Sequence, residues 1–282
     1  MKNKNYFLLS LFFFTLTSIY LSGQTKPTKE QVEKGYNYLE TQVYSQEENL
    51  KLINLFTGPN VADVSDAMDF VGLVNTGLVD PAIHPAWVDP TPARKHYMVG
   101  IAVTCRYLPT QRVNRPEPGE DFGKWSGRFY SVYSPETFTS VLFEGAVVVR
   151  DGFLGKEDSG IGSNNILAWV EAGAVGVLTN ATSRDVDEIM YQKVPLYYHS
   201  PGRGFRPGRS ELESVNRPVL IGGVTVFPGD VIVADGDGVI VVPRKVAFTV
   251  GERAQKNSQG DAAGRKKRYE RLGIPMDVTV PK

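Results

Sequence analysis

A regular alternation of short apolar segments with helical segments constrains the fold of this chain more than any other feature. Residues 143–150, 175–179 and 194–198 are apolar and strand-like, and residues 166–172 and 186–190 between them have helical patterns. Buried strands that alternate with helices are typical of α/β layer structures. The sequence therefore predicts an α/β fold.

The flanking segments are less regular. Residues 218–243 contain three β-rich pieces separated by Pro-Gly-Asp and Gly-Asp-Gly turns, which predict antiparallel strands. Before the alternating region we expect helical structure at 29–55, a short helix capped by Asn60 or Asp63 and a proline-rich loop at 78–94. A strand at 99–108 and a polar surface insertion at about 109–130 follow. At the other end we expect a charged helix at 246–272 and an extended arm after it.

Composition excludes several classes of protein. The 282 residues, of which 41% are apolar, suffice for one full-sized core, and a formal net charge of zero gives no field that would favour nucleic acid. Cys105 is the only cysteine, so an internal disulfide is impossible, and no Cys/His cluster has zinc spacing. Because Cys105 lies in an apolar strand-like run, we interpret it as a buried structural thiol.

The first 24 residues have the pattern of a secretory signal peptide. Lys2 and Lys4 precede an apolar run at 6–21, and small and polar residues follow. The run is short for a membrane span and lacks a basic stop-transfer flank, so we expect cleavage rather than a stable membrane anchor. The mature protein is therefore expected in the periplasm or outside the cell.

The segment from Gly160 to Asp185 contains candidate residues for binding an anion and a metal ion. A glycine-rich turn precedes a helix, where free amides form an anion site and where Ser163 or Asn164 is a helix cap. After the next strand, Arg184 can grip a carboxylate with two parallel hydrogen bonds, and Asp185 can bind a hard dication. A surface ion pair or an acid in a first helical turn explains the same two residues without any function.

The chain contains an ordered set of motifs: NVADVSDAMD, GAVVVRDG, G-x-G-S-N-N before a helix, AGAVGVLTNATSRDVDEI and PVLIGGVTVFPGDVIVADGDGVIVVP. Together they resemble the RraA-like family, which includes divalent-metal hydroxymethyl-oxoglutarate and carboxy-hydroxy-oxoadipate aldolases and members labelled dimethylmenaquinone methyltransferase. The resemblance implies a layered α/β/β fold of the swivelling-domain type, assembled as trimers or hexamers with sites between subunits. The expected organisation is a signal peptide at 1–24, a helical lead at 25–54, an RraA-like domain at 55–245 and a C-terminal helix and arm at 246–282.

The resemblance also implies roles for particular residues. Asp185 would hold a divalent metal, Mg²⁺ or Mn²⁺, Arg184 would bind the oxo-acid end of the substrate, and the backbone of Asn164 and Asn165 would bind its carboxylate. Ser163 stands where the family has an acid twenty residues before the Arg-Asp pair, and Asn180 stands where many relatives have another. These departures put plain pyruvate-aldolase chemistry in doubt.

Export favours a uronate-ended oligosaccharide as the substrate, because free oxaloacetate and ring-cleavage products are cytoplasmic. We therefore expect a metal-dependent dehydratase that removes the proton next to a carboxylate and the neighbouring hydroxyl. Arg203, Arg206 and Arg209, with Lys124, Trp125 and Arg128 of the insertion, would hold the anionic chain, and His199 is the candidate base. The alternatives are a pyruvate-releasing aldolase or oxaloacetate decarboxylase, and a non-catalytic binding protein.

Overall fold

An eight-stranded mixed sheet organises the chain. The computed structural model describes residues 42–112, 116–153 and 158–280, and Thr41–Lys282 form one unit. The predicted signal peptide and the first part of the expected helical lead lie outside the described residues. Within the described parts of the chain, no helix combines the length and apolar character needed to cross a membrane.

The helices and strands occur in the predicted order. The helices are α1 Gln46–Phe56, α2 Val61–Phe70, α3 Phe122–Val132, α4 Ser163–Glu171, α5 Val186–Gln192 and α6 Ala247–Leu272, with short 3-10 turns at Thr137–Val141 and Arg244–Val246. The strands are β1 His84–Pro85, β2 Met98–Pro109, β3 Ala146–Asp151, β4 Ala174–Thr179, β5 Thr182–Ser183, β6 Leu196–Tyr198, β7 Ser200–Pro201, β8 Ser210–Val215, β9 Val219–Ile221, β10 Val224–Val226, β11 Val231–Asp235 and β12 Gly238–Val242.

The order of strands in the main sheet places three connecting loops side by side. The order is β1-β6-β4-β3-β2-β11-β12, with β8 paired to the far part of β2. Strands β2, β3, β4 and β6 run parallel, whereas β11 and β12 pair antiparallel. The carboxyl ends of parallel strands meet at one edge, where ligands bind in open α/β sheets. The segments that follow β3, β4 and β6 therefore share that edge.

Three buried clusters hold the layers together. Helices α1, α2 and α6 cover one part of the sheet, where Leu52, Phe56 and Val250 pack on the antiparallel strands. Helices α4 and α5 cover the parallel part, with Ile166, Trp169 and Ile189 in contact with its strands. The opposite face is covered by the β9-β10 hairpin through Val219, Ile221 and Val226. The result is the expected α/β/β layering.

The predicted surface insertion at 109–130 contains a helix that the sequence did not indicate, because α3 begins within it and continues to Val132. The Asp121 carboxylate caps this helix by accepting a hydrogen bond from the Lys124 amide at 3.0 Å. Trp125 and Phe129, one turn apart, are buried on the same helix face. Capping and this apolar pair outweigh the helix-weakening glycines at 123 and 127.

Candidate functional site

Three loops meet at the carboxyl edge of the parallel strands. The Arg184 amide donates to the Ile161 carbonyl at 2.9 Å, and the Gly202 amide donates to the Ser183 carbonyl at 2.8 Å. The short strands β5 and β7 pair in parallel between two of these loops. The backbone therefore fixes three segments relative to one another. They are the glycine-rich turn at 160–165, the Arg184–Asp185 loop and the arginine-rich loop at 202–209, which contains Arg203, Arg206 and Arg209.

Arg184 and Asp185 both lie against the start of helix α4. A Cβ atom at Gly162 would lie 2.6 Å from Asp185 Oδ2 and 3.3 Å from Arg184 Nε, so a side chain at this position would displace the ends of both side chains. The Ser163 amide donates to Asp185 Oδ2 at 3.2 Å, and Arg184 Nε lies 3.7 Å from the same oxygen. The two side chains remain 36% and 35% exposed. A guanidinium and a carboxylate thus face solvent together beside free helix amides.

Asp185 adopts a left-handed backbone conformation, with φ 60° and ψ 35°, immediately before helix α5. This conformation is costly for most residues and is tolerated best by Gly, Asn and Asp. Adjacent residues in a regular strand or helix point in different directions, whereas this turn directs Arg184 and Asp185 to one place. Strained backbone of this kind is concentrated at binding and catalytic sites.

Sequence reasoning missed Glu188, which belongs to the same cluster. Its Oε2 accepts a hydrogen bond from the Ser163 hydroxyl. Glu188 lies three residues after Asp185, at the start of helix α5, so the two carboxylates share a face. The helical spacing of Asp185 and Glu188 was the available signal. Ser163, where the family pattern has an acid, thus contacts one carboxylate through its amide and another through its hydroxyl.

Glu136 joins helix α4 to the arginine-rich loop, and it too was missed. Its carboxylate accepts hydrogen bonds from Asn165 Nδ2 at 2.7 Å, from Trp169 Nε1 at 2.8 Å and from the Arg206 guanidinium. Arg206 is only 3% exposed. Burial lowers the pKa of Arg206, but the charge of Glu136, its hydrogen bond and the neighbouring Tyr107 and Tyr130 together more than offset this and leave that pKa above its usual value. The buried Arg206 therefore anchors the arginine-rich loop to Glu136 instead of contacting a ligand at the surface, as was predicted.

Positive charge lies beneath the glycine-rich turn. Arg150 is fully buried, with its guanidinium 4.5 Å from the centre of the Tyr107 ring and 3.6 Å from Asp158 Oδ2. A Cβ at Gly160 would lie 2.3 Å from Arg150 Nη2, so this position also requires glycine. Arg206 flanks the same tyrosine at 5.5 Å. Asp158 and Glu136 neutralise these two guanidinium groups, so the buried ion pairs hold the turn and its neighbouring loop in place.

The remaining predicted site residues lie around this cluster. Asn164 is exposed on the first turn of α4, and Arg203 is exposed on the arginine-rich loop. His199 follows β6; its amide donates to the Ala181 carbonyl at 3.3 Å, and its Nδ1 lies 3.3 Å from the Ser200 hydroxyl. His199 therefore lies in the bend between β6 and β7, beside the loop that leads to Arg184.

Asn180 has a structural role that accounts for its departure from the family pattern. Its amide nitrogen donates to Asp151 Oδ1 at 2.9 Å and to the Leu220 carbonyl at 3.0 Å, and its oxygen accepts the Gly152 amide at 2.8 Å. Asp151 is also held by Arg106 at 2.9 Å. A carboxylate at position 180 would face Asp151 and could not donate to it.

The aromatic side chain that the insertion exposes to solvent is Phe122 and not the predicted Trp125. Trp125 is only 7% exposed, and Arg128 forms an ion pair with Glu120, so neither is a free surface contact. Phe122, at the start of α3, is the exposed aromatic residue, with 57% of its surface accessible.

The donor set allows a metal with few protein ligands. Among the residues that the structure describes, no group of three or more His, Cys, Asp or Glu side chains could enclose a metal ion. Mg²⁺ does not need such a group, because it keeps several waters and binds one or two carboxylates together with its substrate. Asp185, partly exposed beside Glu188, fits that mode of binding.

A large cavity lies away from this surface. Its volume is about 720 Å³, and its lining includes Asp63, Arg94, Asp261, Arg265 and Tyr269. It shares no residue with the Arg184–Asp185 surface. The side chains of Arg184 and Asp185, each about a third exposed, lie on an open surface of the single chain.

Two named proteins are similar to parts of this chain. The chain is 28% identical over 195 residues to Protein DlpA of Legionella pneumophila, which covers 65% of this chain and 26% of that protein. It is 32% identical over 117 residues to the 4-hydroxy-4-methyl-2-oxoglutarate aldolase of Thermus thermophilus, covering 40% of this chain and 64% of that enzyme. The chain thus spans less than two thirds of either relative.

Solved structures show the same fold. A protein from gut-associated microbes, described among novel cellulases, superposes with a TM-score of 0.63 at 19% identity, covering 86% of this chain and 96% of that one. The Streptomyces coelicolor protein RraAS2, described as an unusual member of the RNase ES inhibitor RraA protein family, gives a TM-score of 0.60 at 19% identity, covering 80% and 99%.

The family itself follows from the sequence as a whole. The RraA-like profile, Aldolase/RraA, matches residues 61–241, which contain the main sheet and all three loops of the candidate site. The motifs around the glycine-rich turn and the Arg-Asp pair lie within this match. The chain belongs to the RraA-like family.

Proposed function

We propose that the protein is a divalent-metal-dependent lyase that removes the proton next to a carboxylate. The observation that supports this is the convergence of Arg184 and Asp185 on the start of helix α4, with both side chains about a third exposed. A guanidinium, a carboxylate and helix amides at one point can bind an anionic ligand and a cation together. A mere surface ion pair would not require the left-handed backbone turn at Asp185.

The chain's residues divide the work between binding and orientation. Arg184 donates two parallel hydrogen bonds to the carboxylate of the ligand, and the amides of Asn164 and Asn165 add donors on the other side. Asp185 would hold a dication, and its positive charge would stabilise the negative charge left when the adjacent proton is removed, an effect of several kcal/mol. His199 is the proposed acceptor of that proton, since imidazole can take up a proton near neutral pH.

The specific reaction that we propose is elimination of water from a terminal uronate. The base takes the proton from the carbon next to the carboxylate, and the electron pair of that C–H bond forms a double bond to the neighbouring ring carbon. The C–O bond of that carbon breaks, and the departing hydroxyl takes up one proton, which balances the one removed, and leaves as water. The products are an unsaturated uronate and water, and no carbon–carbon bond breaks. Export through the predicted signal peptide supports this substrate, because uronate-ended fragments of polysaccharides occur outside the cell.

Aldolase chemistry is the second candidate. It is favoured by the match to the Thermus thermophilus 4-hydroxy-4-methyl-2-oxoglutarate aldolase, which spans 40% of the chain. Cleavage of a hydroxy-oxo acid and water elimination both pass through negative charge beside a carboxylate. The serine at position 163 and the asparagine at 180 weigh against an unchanged aldolase site, because both acids of the family pattern are missing.

We also propose that the site is completed by a neighbouring copy of the chain. The Arg184–Asp185 surface is open on one subunit, whereas exclusion of water strengthens every charge interaction in a site. A homotrimer or hexamer with sites between subunits, as the family resemblance implies, would supply the missing wall.

One assay separates the candidates. The mature protein is incubated with Mg²⁺ or Mn²⁺, and separately with a chelator, on uronate-ended oligosaccharides and on oxaloacetate or a hydroxy-oxo acid. Ultraviolet absorbance of a new conjugated double bond supports the dehydratase, pyruvate formation supports the aldolase, and neither product indicates a binding protein. Asp185→Ala should remove the activity, whereas Asp187→Ala, an exposed acid two residues further along, should retain it. Full activity of Asp185→Ala would overturn the proposed metal ligand.

A further inference from the structure

A second, aromatic cavity lies beside the proposed carboxylate site. It has a volume of about 410 Å³ and is lined by Phe122, Trp125, Phe205, Pro207, Gly208 and Arg209. Pockets that bury small ligands are commonly of this size and combine apolar walls with a few polar groups. Helix α3 of the insertion forms one wall and the arginine-rich loop forms the other.

Phe205 connects this cavity to the carboxylate site. The centre of its ring lies 6.0 Å from the Arg184 guanidinium carbon and 5.9 Å from the centre of the Phe122 ring. Tyr130 packs edge-on against Phe205 at 5.7 Å, which fixes the ring from the side. A ligand held by Arg184 would therefore continue directly onto the aromatic wall.

The wall is exposed although it consists of aromatic rings. Phe122 is 57% exposed, and the Phe122 and Phe205 rings are tilted by only 32°. Trp125 lies beneath them, 5.3 Å from Phe122. Arg209 is bound to the Phe205 carbonyl and adds positive charge at the rim. Aromatic faces carry partial negative charge and attract the polarised C–H groups of a ligand.

We infer that this cavity binds the sugar ring next to the terminal uronate, as a subsite of the proposed lyase. A pyranose has an apolar C–H face that suits Phe122 and Phe205, and a rim of hydroxyl or anionic groups that suits Arg209. Arg184 binds the carboxylate of the terminal unit while the adjoining unit stacks on the rings. The inference rests on the proposed function for the order of the two units, but the stacking itself does not need Arg184.

The test measures binding rather than turnover. A neutral β-linked trisaccharide, a uronate-ended trisaccharide and a free uronate are titrated with Mg²⁺ into the wild-type protein, Phe122→Ala and the control Phe248→Ala, which removes an exposed phenylalanine of helix α6. Calorimetry gives the affinities. Fluorescence of Trp125 reports the occupied cavity, and Trp125→Phe should lose that signal while it keeps the calorimetric affinity.

Phe122→Ala should weaken both trisaccharides about fivefold or more and change the free uronate by less than about twofold. Phe248→Ala should change none of them. Equal weakening of all three ligands by Phe122→Ala, no weakening, or no binding of either trisaccharide to the wild type overturns the subsite. Binding of the neutral trisaccharide through Phe122 without any product from the uronate substrate would leave the subsite standing and remove the proposed reaction.

Discussion

Replacement of Glu136 by glutamine tests how the site is held in place. The carboxylate accepts hydrogen bonds from three donors, on Asn165, Trp169 and Arg206, and Arg206 is only 3% exposed. A glutamine has one accepting oxygen and a donating NH₂ group, so at least one of the three donors loses its acceptor. The buried guanidinium also loses its counter-charge.

The size of the effect follows from burial. Removal of one partner of a buried ion pair costs about 3–5 kcal/mol. Because Glu136 keeps 20% of its side-chain surface exposed, we expect the lower end, about 3 kcal/mol. For a domain of this size, that corresponds to a fall in Tm of about 6–12 °C. The double variant Glu136→Gln/Arg206→Met should recover part of the loss, because it leaves no unpaired buried charge.

Urea unfolding followed by circular dichroism and by tryptophan fluorescence measures these changes. Glu47→Gln is the matched control, because it breaks an ion pair with Lys51 in which both side chains are largely exposed, at 77% and 60%. The control should unfold at the same urea concentration as the wild type. If Glu136→Gln also unfolds there, or if the double variant is less stable than the single one, the account of Glu136 is wrong.

Three further outcomes are expected. Asn180→Asp should destabilise the protein by about 1–3 kcal/mol at pH 7, by setting a carboxylate against Asp151, and less at pH 4; equal loss at both pH values would contradict this. Burial raises the pKa of Asp230 from 3.8 to about 6, so the folded state holds a proton that the unfolded chain has released. The unfolding free energy should fall by about 3 kcal/mol as pH rises from about 4 to about 6, a slope absent in Asp230→Asn. Burial raises the pKa of Cys105 to about 12, so a thiol reagent at pH 8 should label it only after unfolding.

The order of elements was predictable because a buried strand requires a short run of apolar residues, and such runs are visible in the sequence. Strands β3, β4 and β6 each contain a run of apolar residues, and the turn residues between them mark their ends. Helix α3 was missed because glycines and serines lower its helix propensity and because its buried helical signal is the single pair Trp125 and Phe129. The layering came from the family resemblance rather than from periodicity.

The site was only partly predictable. Arg184 and Asp185 are adjacent in sequence, so a local motif reveals them. Glu136 contacts a residue 70 positions later, and no spacing in the sequence indicates such a contact. The sequence also did not reveal which side chains are exposed. Arg206 and Trp125 lie in polar segments and were predicted to contact a ligand at the surface, but both are buried, and Phe122 is exposed instead.

Titration with Mn²⁺, followed by water proton relaxation, tests the central claim most directly, because it detects the cation without turnover. Wild-type protein should bind Mn²⁺, and a carboxylated ligand should tighten that binding. Asp185→Ala should lose the binding, Arg184→Met should keep the cation but lose the tightening by the ligand, and Asp187→Ala should behave as wild type. Unchanged Mn²⁺ affinity in Asp185→Ala would contradict the joint role of Asp185 and Arg184.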